Sequence, residues 1–289
     1  MSLSMPERSC LPPICRRTIT RLARLALLLP LCLTPFVAVA EAASSDWATN
    51  EGGRMRLVLL PAAADGSRAG VLLIEPKPGW ITYWKEPGEV GIPPSIAPAP
   101  GADYSVRRVD FPVPKLLSGG ELQDVGYDHP VALPIVLDTA PDDRPVALSA
   151  FVGVCQNICI PFQADLVVAP DRQVVSDPAE VALVKKAQGL VPPGPSADFR
   201  VTGHRMQPDA KSLEVSLRLP ADAPLSQVFI SGPSGHVYVD GITTAAADGE
   251  TLFTVPIGKL PEGYTLAGKR WGILVVASDR AMETALAFD

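Results

Sequence analysis

Two residues in this chain have types and spacing that could do chemistry together. Cys155 and Cys159 lie four positions apart, with three residues between them, within Gly153-Val154-Cys155-Gln156-Asn157-Ile158-Cys159-Ile160-Pro161. A strand ending at Cys155, turning through Gln156, Asn157 and Ile158 and returning from Cys159 would set both thiols across a hairpin mouth. That arrangement suits a disulfide, whose Cα atoms stand roughly 4.4 to 6.8 Å apart. Three chemistries are open to such a pair. As a structural staple it closes so short a loop that chain entropy gains only about 2 kcal/mol. As a redox pair the short ring is an advantage, because reduction costs the fold little and the thiols stay placed to re-form the bond. As a metal site it offers two soft thiolates and no nearby histidine, His129 being the one other candidate in the first domain; two sulfurs are enough for linear Cu(I), whereas zinc would normally want four ligands.

The setting of the pair depends on the first 40 residues, which have the three parts of a secretory signal. Arg8, Arg16, Arg17, Arg21 and Arg24 form a basic stretch, residues 25–37 are apolar, and Ala38-Val39-Ala40 is a small-residue cleavage site. Removal of this leader takes Cys10, Cys15 and Cys32 away and leaves Cys155 and Cys159 as the remaining pair in an exported, oxidising setting. It also removes five arginines and one glutamate, so 20 basic residues face 30 acidic ones. A surface with about ten net negative charges argues against nucleic acid or anionic lipid as partners. No later stretch reaches the roughly 20 apolar residues of a membrane-spanning helix, so no direct span is expected after cleavage.

The elements that must position the cysteines read as β-strands. Short β-branched or leucine-rich runs at 55–60, 69–75, 80–84, 106–111, 131–137, 146–154 and 159–168 are separated by Gly, Pro and Asp turns, as in an immunoglobulin-like sandwich. Residues 91–100 and 112–130 read as long connections, the kind of loop that carries function. Trp80 and Trp84 share parity along their strand and are expected to face the core, with Tyr83 on the other side; residues 85–89 read as a solvated turn.

The β pattern breaks at residues 171–198. Ser176-Asp177-Pro178-Ala179-Glu180 is a helix start, with Ala179, Leu183, Ala187 and Leu190 at helical spacing, and Val191-Pro192-Pro193-Gly194-Pro195 stops it as a semi-rigid joint. A second series of short runs then fills 199–289. The expectation is therefore an all-β chain of two tandem immunoglobulin-like domains, 41–170 and 199–289, joined by a short helix and a proline-rich linker. The second contains no cysteine, and its His204 and His236 have no ligand-like spacing; it reads as a scaffold or docking domain.

A resemblance adds to this reading. The segment Gly79-Trp80-Ile81-Thr82-Tyr83-Trp84-Lys85-Glu86-Pro87-Gly88-Glu89-Val90-Gly91-Ile92-Pro93-Pro94, then Asp124-Val125-Gly126-Tyr127, then Val154 to Pro161, resembles the periplasmic N-terminal region of the ScsB and DsbD thiol:disulfide interchange proteins. The ScsB branch is the closer, since its cysteines are also separated by three residues. The resemblance implies a periplasmic dithiol relay with no cofactor, taking two electrons from a membrane-embedded donor and passing them to periplasmic thioredoxin-fold proteins through mixed disulfides. It makes Cys159 the sulfur attacked and Cys155 the resolving partner. It also implies a cap loop shielding the cysteines, with Tyr127 over the disulfide and Asp124 as a carboxylate that holds up a thiol pKa. As a free-standing module, the chain is expected to find its donor in trans. Two other readings keep their place: a copper-binding or copper-tolerance accessory protein using Cys155 and Cys159 for Cu(I), and a non-catalytic β-sandwich adaptor with a permanent staple.

Overall fold

The computed structural model describes residues 43–88, 91–118, 123–141, 143–170, 177–232, 236–245, 249–258 and 260–289. The expected leader, the span 119–122 and most of the connection before the helix lie outside these residues. Alternating apolar residues and turn signals produce strands throughout. The N-terminal unit contains β1 (Ala43–Ser44), β2 (Ala48–Thr49), β3 (Gly53–Ala62), β4 (Arg68–Pro76), β5 (Ile81–Gly88), β6 (Ser95–Pro98), β7 (Ser105–Val109), β8 (Lys115–Ser118), β9 (Gln123–Tyr127), β10 (Val131–Asp138), β11 (Val146–Cys155) and β12 (Cys159–Val168). One sheet has the order β1-β3-β4-β10-β7 with β2 beside β3, and the other β12-β11-β5-β9-β8 with β6 beside β11. Between them lies a core that includes Leu57, Leu72, Trp84, Leu133, Leu148 and Val152.

Each of the seven expected runs coincides with a strand here, within a few residues at the ends. Three expectations are corrected. The presumed connections contain β6, β8 and β9: β6 pairs with β11 and β9 with β5, distant partners that no local pattern announces, and β8 pairs with β9. Residues 85–88 of the presumed turn continue β5, with Pro87 buried, and Glu89 lies outside the described residues. The presumed cap loop at Asp124 to Tyr127 is itself strand β9.

Helix α1 (Pro178–Gly189) begins where its cap residues say it should. Asp177 accepts from the Ala179 backbone N–H at 2.8 Å, and Pro178 occupies the first turn, where a missing donor costs nothing. Its buried stripe is Val181, Val184 and Ala187, packed on Val58 and Val71 with Leu183 partly buried beside them; of the residues noted at helical spacing, Ala187 is buried while Ala179 and Leu190 are exposed. Leu190 is 54% exposed. Arg56 reaches across to Glu180 at 2.9 Å, so the helix is docked on the N-terminal unit and is not a free spacer.

The C-terminal unit contains β13 (Arg200–Met206), β14 (Ser212–Arg218), β15 (Leu225–Ser231), β16 (Val237–Tyr238), β17 (Ile242–Ala245), β18 (Thr251–Pro256), β19 (Lys269–Ala277) and β20 (Arg280–Phe288). These form two four-stranded sheets, β13-β14-β18-β17 and β16-β15-β19-β20, enclosing a second core with Leu213, Val215, Phe253, Trp271 and Leu286. Phe229 and Leu274 belong instead to the N-terminal core. Shared burial of this kind replaces the semi-rigid joint expected from the prolines.

Candidate functional site

The hairpin β11–β12 runs in unbroken register from Val146↔Val168 to Cys155↔Cys159. Its last pair is the cysteines, so Gln156, Asn157 and Ile158 form the whole turn, as the spacing leads one to expect. The two sulfurs are bonded, with Cα atoms 4.2 Å apart. Gln156, Asn157 and Ile158 are exposed, Ile158 at 75%. Cys155 is 5% exposed, while Cys159 is half-buried. The two ends of the disulfide therefore differ in how readily another thiol can reach them.

Along most of β11 apolar residues alternate, with Val146, Leu148, Ala150 and Val152 facing the core. At the end both faces are covered, and Val152, Gly153, Val154 and Cys155 are all buried. The cover on the outer face is Tyr83. β5 pairs with β11 through Thr82↔Val154 and Ile81↔Cys155, and the Thr82 hydroxyl donates to the Gly153 carbonyl at 2.9 Å. Tyr83 thus points to the same face as Gly153 and Cys155. Its hydroxyl donates to Cys155 Sγ at 2.9 Å and lies 3.1 Å from Cys159 Sγ.

Two glycines make room for this ring. A Cβ on Gly153 would stand 2.9 Å from Tyr83 Cδ2 and 2.7 Å from Ile92 Cβ, and one on Gly91 would stand 2.7 Å from Tyr83 Cδ1. Any larger residue would push the phenol off the sulfurs.

Asp124 belongs to the same environment. β9 pairs with β5 through Tyr83↔Gly126 and Gly88↔Asp124, so Asp124, two residues from Gly126, shares the face of Tyr83. Its Oδ1 is buried without a hydrogen-bond partner. Burial pushes its carboxyl above the usual range. Burial also raises the Tyr83 phenol, and the Asp124 charge raises it further, to about 12. Tyr83 therefore keeps its proton, and remains a donor, at any ordinary pH.

Tyr127 is not brought to the sulfurs. It pairs with Thr82, so it occupies the core face, opposite Cys155. Its side chain is fully buried, its hydroxyl donates to the Pro112 carbonyl at 2.8 Å, and burial raises its pKa, with Glu283 adding to the effect. Asp124 and Tyr127 are three positions apart on one strand, an odd separation that sends them to opposite faces. The aromatic on the disulfide is Tyr83, which the residue pattern marked only as facing away from Trp80 and Trp84. As expected, Trp84 is buried in the core and Trp80 packs against it.

Among the described residues no group of three or more His, Cys, Asp or Glu stands together as a metal site. A Cu(I) ion would find the two sulfurs and the neutral phenol of Tyr83. No helix among the described residues is long and apolar enough to cross a membrane.

A two-layer β unit thus holds a cysteine pair at a hairpin tip, under a tyrosine hydroxyl, and comparison with known proteins finds two similarities. Residues 56–170 match the family described as Thiol:disulfide interchange protein DsbD, N-terminal. The fold is similar to the crystal structure of the N-terminal periplasmic domain of ScsB from Proteus mirabilis, with a TM-score of 0.66 and 21% identity over 86% of this chain and 99% of that one. No curated protein matches significantly.

Proposed function

We propose that this protein is a periplasmic thiol-disulfide exchange protein that relays electrons through Cys155 and Cys159 to thioredoxin-fold partners. The observation that carries the proposal is the unequal exposure of the two sulfurs at a hairpin tip, within a segment that matches the DsbD N-terminal family. Each pair of sheets is read as an immunoglobulin-like domain, 41–170 and 199–289, with 171–198 between them and residues 1–40 as an export signal.

In the reduced state the Cys159 thiolate attacks one sulfur of a partner disulfide, and the other partner sulfur leaves as a thiolate and takes up a proton. Cys155 then loses its proton and attacks Cys159 Sγ, expelling the second partner thiolate, which is protonated in turn. Two electrons have passed to the partner, one of the two protons it takes up balances the one Cys155 released and the other comes from solvent, and the Cys155–Cys159 disulfide has formed. A membrane-embedded donor reverses these steps to restore the dithiol. Tyr83, held neutral by burial and by Asp124, supplies a hydrogen bond that strengthens when a sulfur becomes anionic.

Substitution Cys155→Ser removes the resolving thiol and leaves Cys159 to attack. The variant is expected to accumulate a mixed disulfide with an oxidised periplasmic thioredoxin-fold protein, whereas Cys159→Ser accumulates none. Absence of any trapped adduct, with Cys159 open to alkylation, would count decisively against the relay.

A further inference from the structure

The C-terminal unit carries no thiol, yet it grips the strand that bears Tyr83. Immediately after Tyr83, Trp84 turns into the core and meets Phe229 of β15 at a ring-centroid distance of 5.9 Å. Lys85 follows, with its ammonium 5.0 Å above the Trp84 ring and paired with Glu283 of β20. The Glu283 backbone N–H donates to the Pro193 carbonyl at 3.0 Å, which ties that end of β20 to the linker. β16 lies against β5, and Gly88 and Val125 form one wall of a cleft whose other wall is residues 236–240.

The gripped stretch is the irregular part of β5. The register with β9 runs Thr82↔Tyr127 and Tyr83↔Gly126, shifts, and resumes at Gly88↔Asp124. Five residues of β5 therefore span the two-residue step from Gly126 to Asp124. A bulge re-aims the side chains around it and weakens local pairing, so its shape must be fixed by other contacts. Those contacts come from Phe229 and Glu283. The bulge lies between the two groups that define the sulfur environment, with Tyr83 at one end and the partner of Asp124 at the other. The charged side chains within it are Lys85, paired with Glu283, and Glu86, whose carboxyl is raised by burial; Asp124 is the carboxylate that acts on Tyr83.

We propose that the C-terminal unit is a positioning element of the exchange site: Phe229 and Glu283 hold the bulge of β5, through Trp84 and Lys85, so that the Tyr83 hydroxyl stays on the two sulfurs. Glu283 and Phe229 are positioning residues, 198 and 145 positions from Lys85 and Trp84, and touch neither sulfur. The proposal rests on Cys155 and Cys159 as the exchange pair, but its test needs no partner protein.

The test is the rate of iodoacetamide alkylation at Cys159 in the reduced chain, located by mass spectrometry and followed against pH. Five proteins are compared: wild type, Tyr83→Phe, Glu283→Gln, the double variant of these two, and Lys85→Met. Loss of the phenol hydroxyl raises the thiol pKa and slows alkylation at neutral pH, by about tenfold for a hydrogen bond to a charged sulfur. Glu283→Gln is expected to move the profile in the same direction by about threefold, and the double variant to be no slower than Tyr83→Phe alone. Lys85→Met, which keeps the stem over Trp84 and removes the charge, should repeat the Glu283→Gln result. A wild-type profile in both Glu283→Gln and Lys85→Met overturns the proposal, whether or not their Tm falls. So do effects of Tyr83→Phe and Glu283→Gln that multiply in the double variant. Failure to trap a partner with Cys155→Ser would refute the relay and leave these profiles unchanged.

Discussion

Tyr83 reaches both sulfurs, at 2.9 and 3.1 Å, with a phenol that titrates only near 12. A neutral donor on a sulfur favours the thiolate over the disulfide, because anionic sulfur accepts the hydrogen bond more strongly. Tyr83→Phe should therefore disfavour the reduced state by roughly 1 kcal/mol, making the potential of the pair more negative by about 20 mV. Equilibration with glutathione measures this, and an unchanged potential would remove Tyr83 from the redox chemistry. Asp124 gives a second expectation. Burial lifts its folded-state pKa above the unfolded value of 3.8, so folding favours the protonated acid. The stability this contributes is fully present below about pH 4 and is lost as the pH rises through the folded pKa. Asp124→Asn removes the loss, so the variant should melt above wild type at neutral pH and converge with it in acid. Its tyrosinate titration should also shift Tyr83 downward, since the charge that raises the phenol is gone. At this scale the cysteines were legible, because a hairpin turn is local and three residues fit it. Tyr83 was legible only in part. Parity placed it opposite Trp84, but the register Thr82↔Val154 that lays it on Cys155 joins residues 72 positions apart and has no local signature. The same parity argument, applied to Asp124 and Tyr127, already forbids both from covering the disulfide.

The strands that carry the site are more constrained than ordinary sheet elements, because β11 is buried on both faces where it meets the cysteines. Gly153 sits at that point with its missing Cβ 2.9 Å from the Tyr83 ring and 2.7 Å from Ile92. Gly153→Ala inserts a methyl into filled space and should destabilise the chain by about 1–3 kcal/mol, as overpacking does. Urea unfolding measures the cost, and a neutral result would show that the Tyr83 ring can give way. Helix α1 obeys the same packing logic at an outer surface. Val184 is fully buried on Val58 and Val71, so Val184→Ala should cost about 2 kcal/mol from lost transfer and residual cavity. A spacer helix that touched nothing would lose no more than a few tenths. The helix itself was legible from Asp177 and Pro178, because caps act through neighbouring residues. Its buried face was not, since the choice of Val181 and Val184 over Ala179 and Leu190 depends on the valines of a sheet formed far earlier in the chain. Strands β6 and β9 were hidden for the same reason, their partners β11 and β5 lying far off in the chain, inside segments whose prolines read as connections.

Across the whole molecule the two β units share a core as well as a chain. Phe229 and Leu274 are each 1% exposed and lie in the N-terminal core, while the Lys85–Glu283 pair is half-buried and secondary in energy. Apolar burial of this kind couples stability, because neither unit can unfold without exposing surface that belongs to the other. The short apolar runs foretold strands on both sides of the helix but could not foretell the shared core, since an apolar strand residue carries no mark of which core it enters. Equilibrium unfolding should therefore follow a single transition, with tryptophan fluorescence dominated by Trp84 and Trp80 coinciding with the signal of a chain in which Trp271 is the reporter. Phe229→Ala should separate the two signals, because truncating a buried phenylalanine costs about 3–5 kcal/mol, here levied on the contact that joins the units. Reduction of the disulfide should not separate them. A ring closed by so few residues constrains the unfolded chain by only about 2 kcal/mol, so the dithiol form should lower the midpoint of the same single transition without splitting it. If wild type unfolds in two steps, or if reduction alone splits the transition, the C-terminal unit is not fastened to β5 by its core and its influence on the sulfurs must be sought elsewhere.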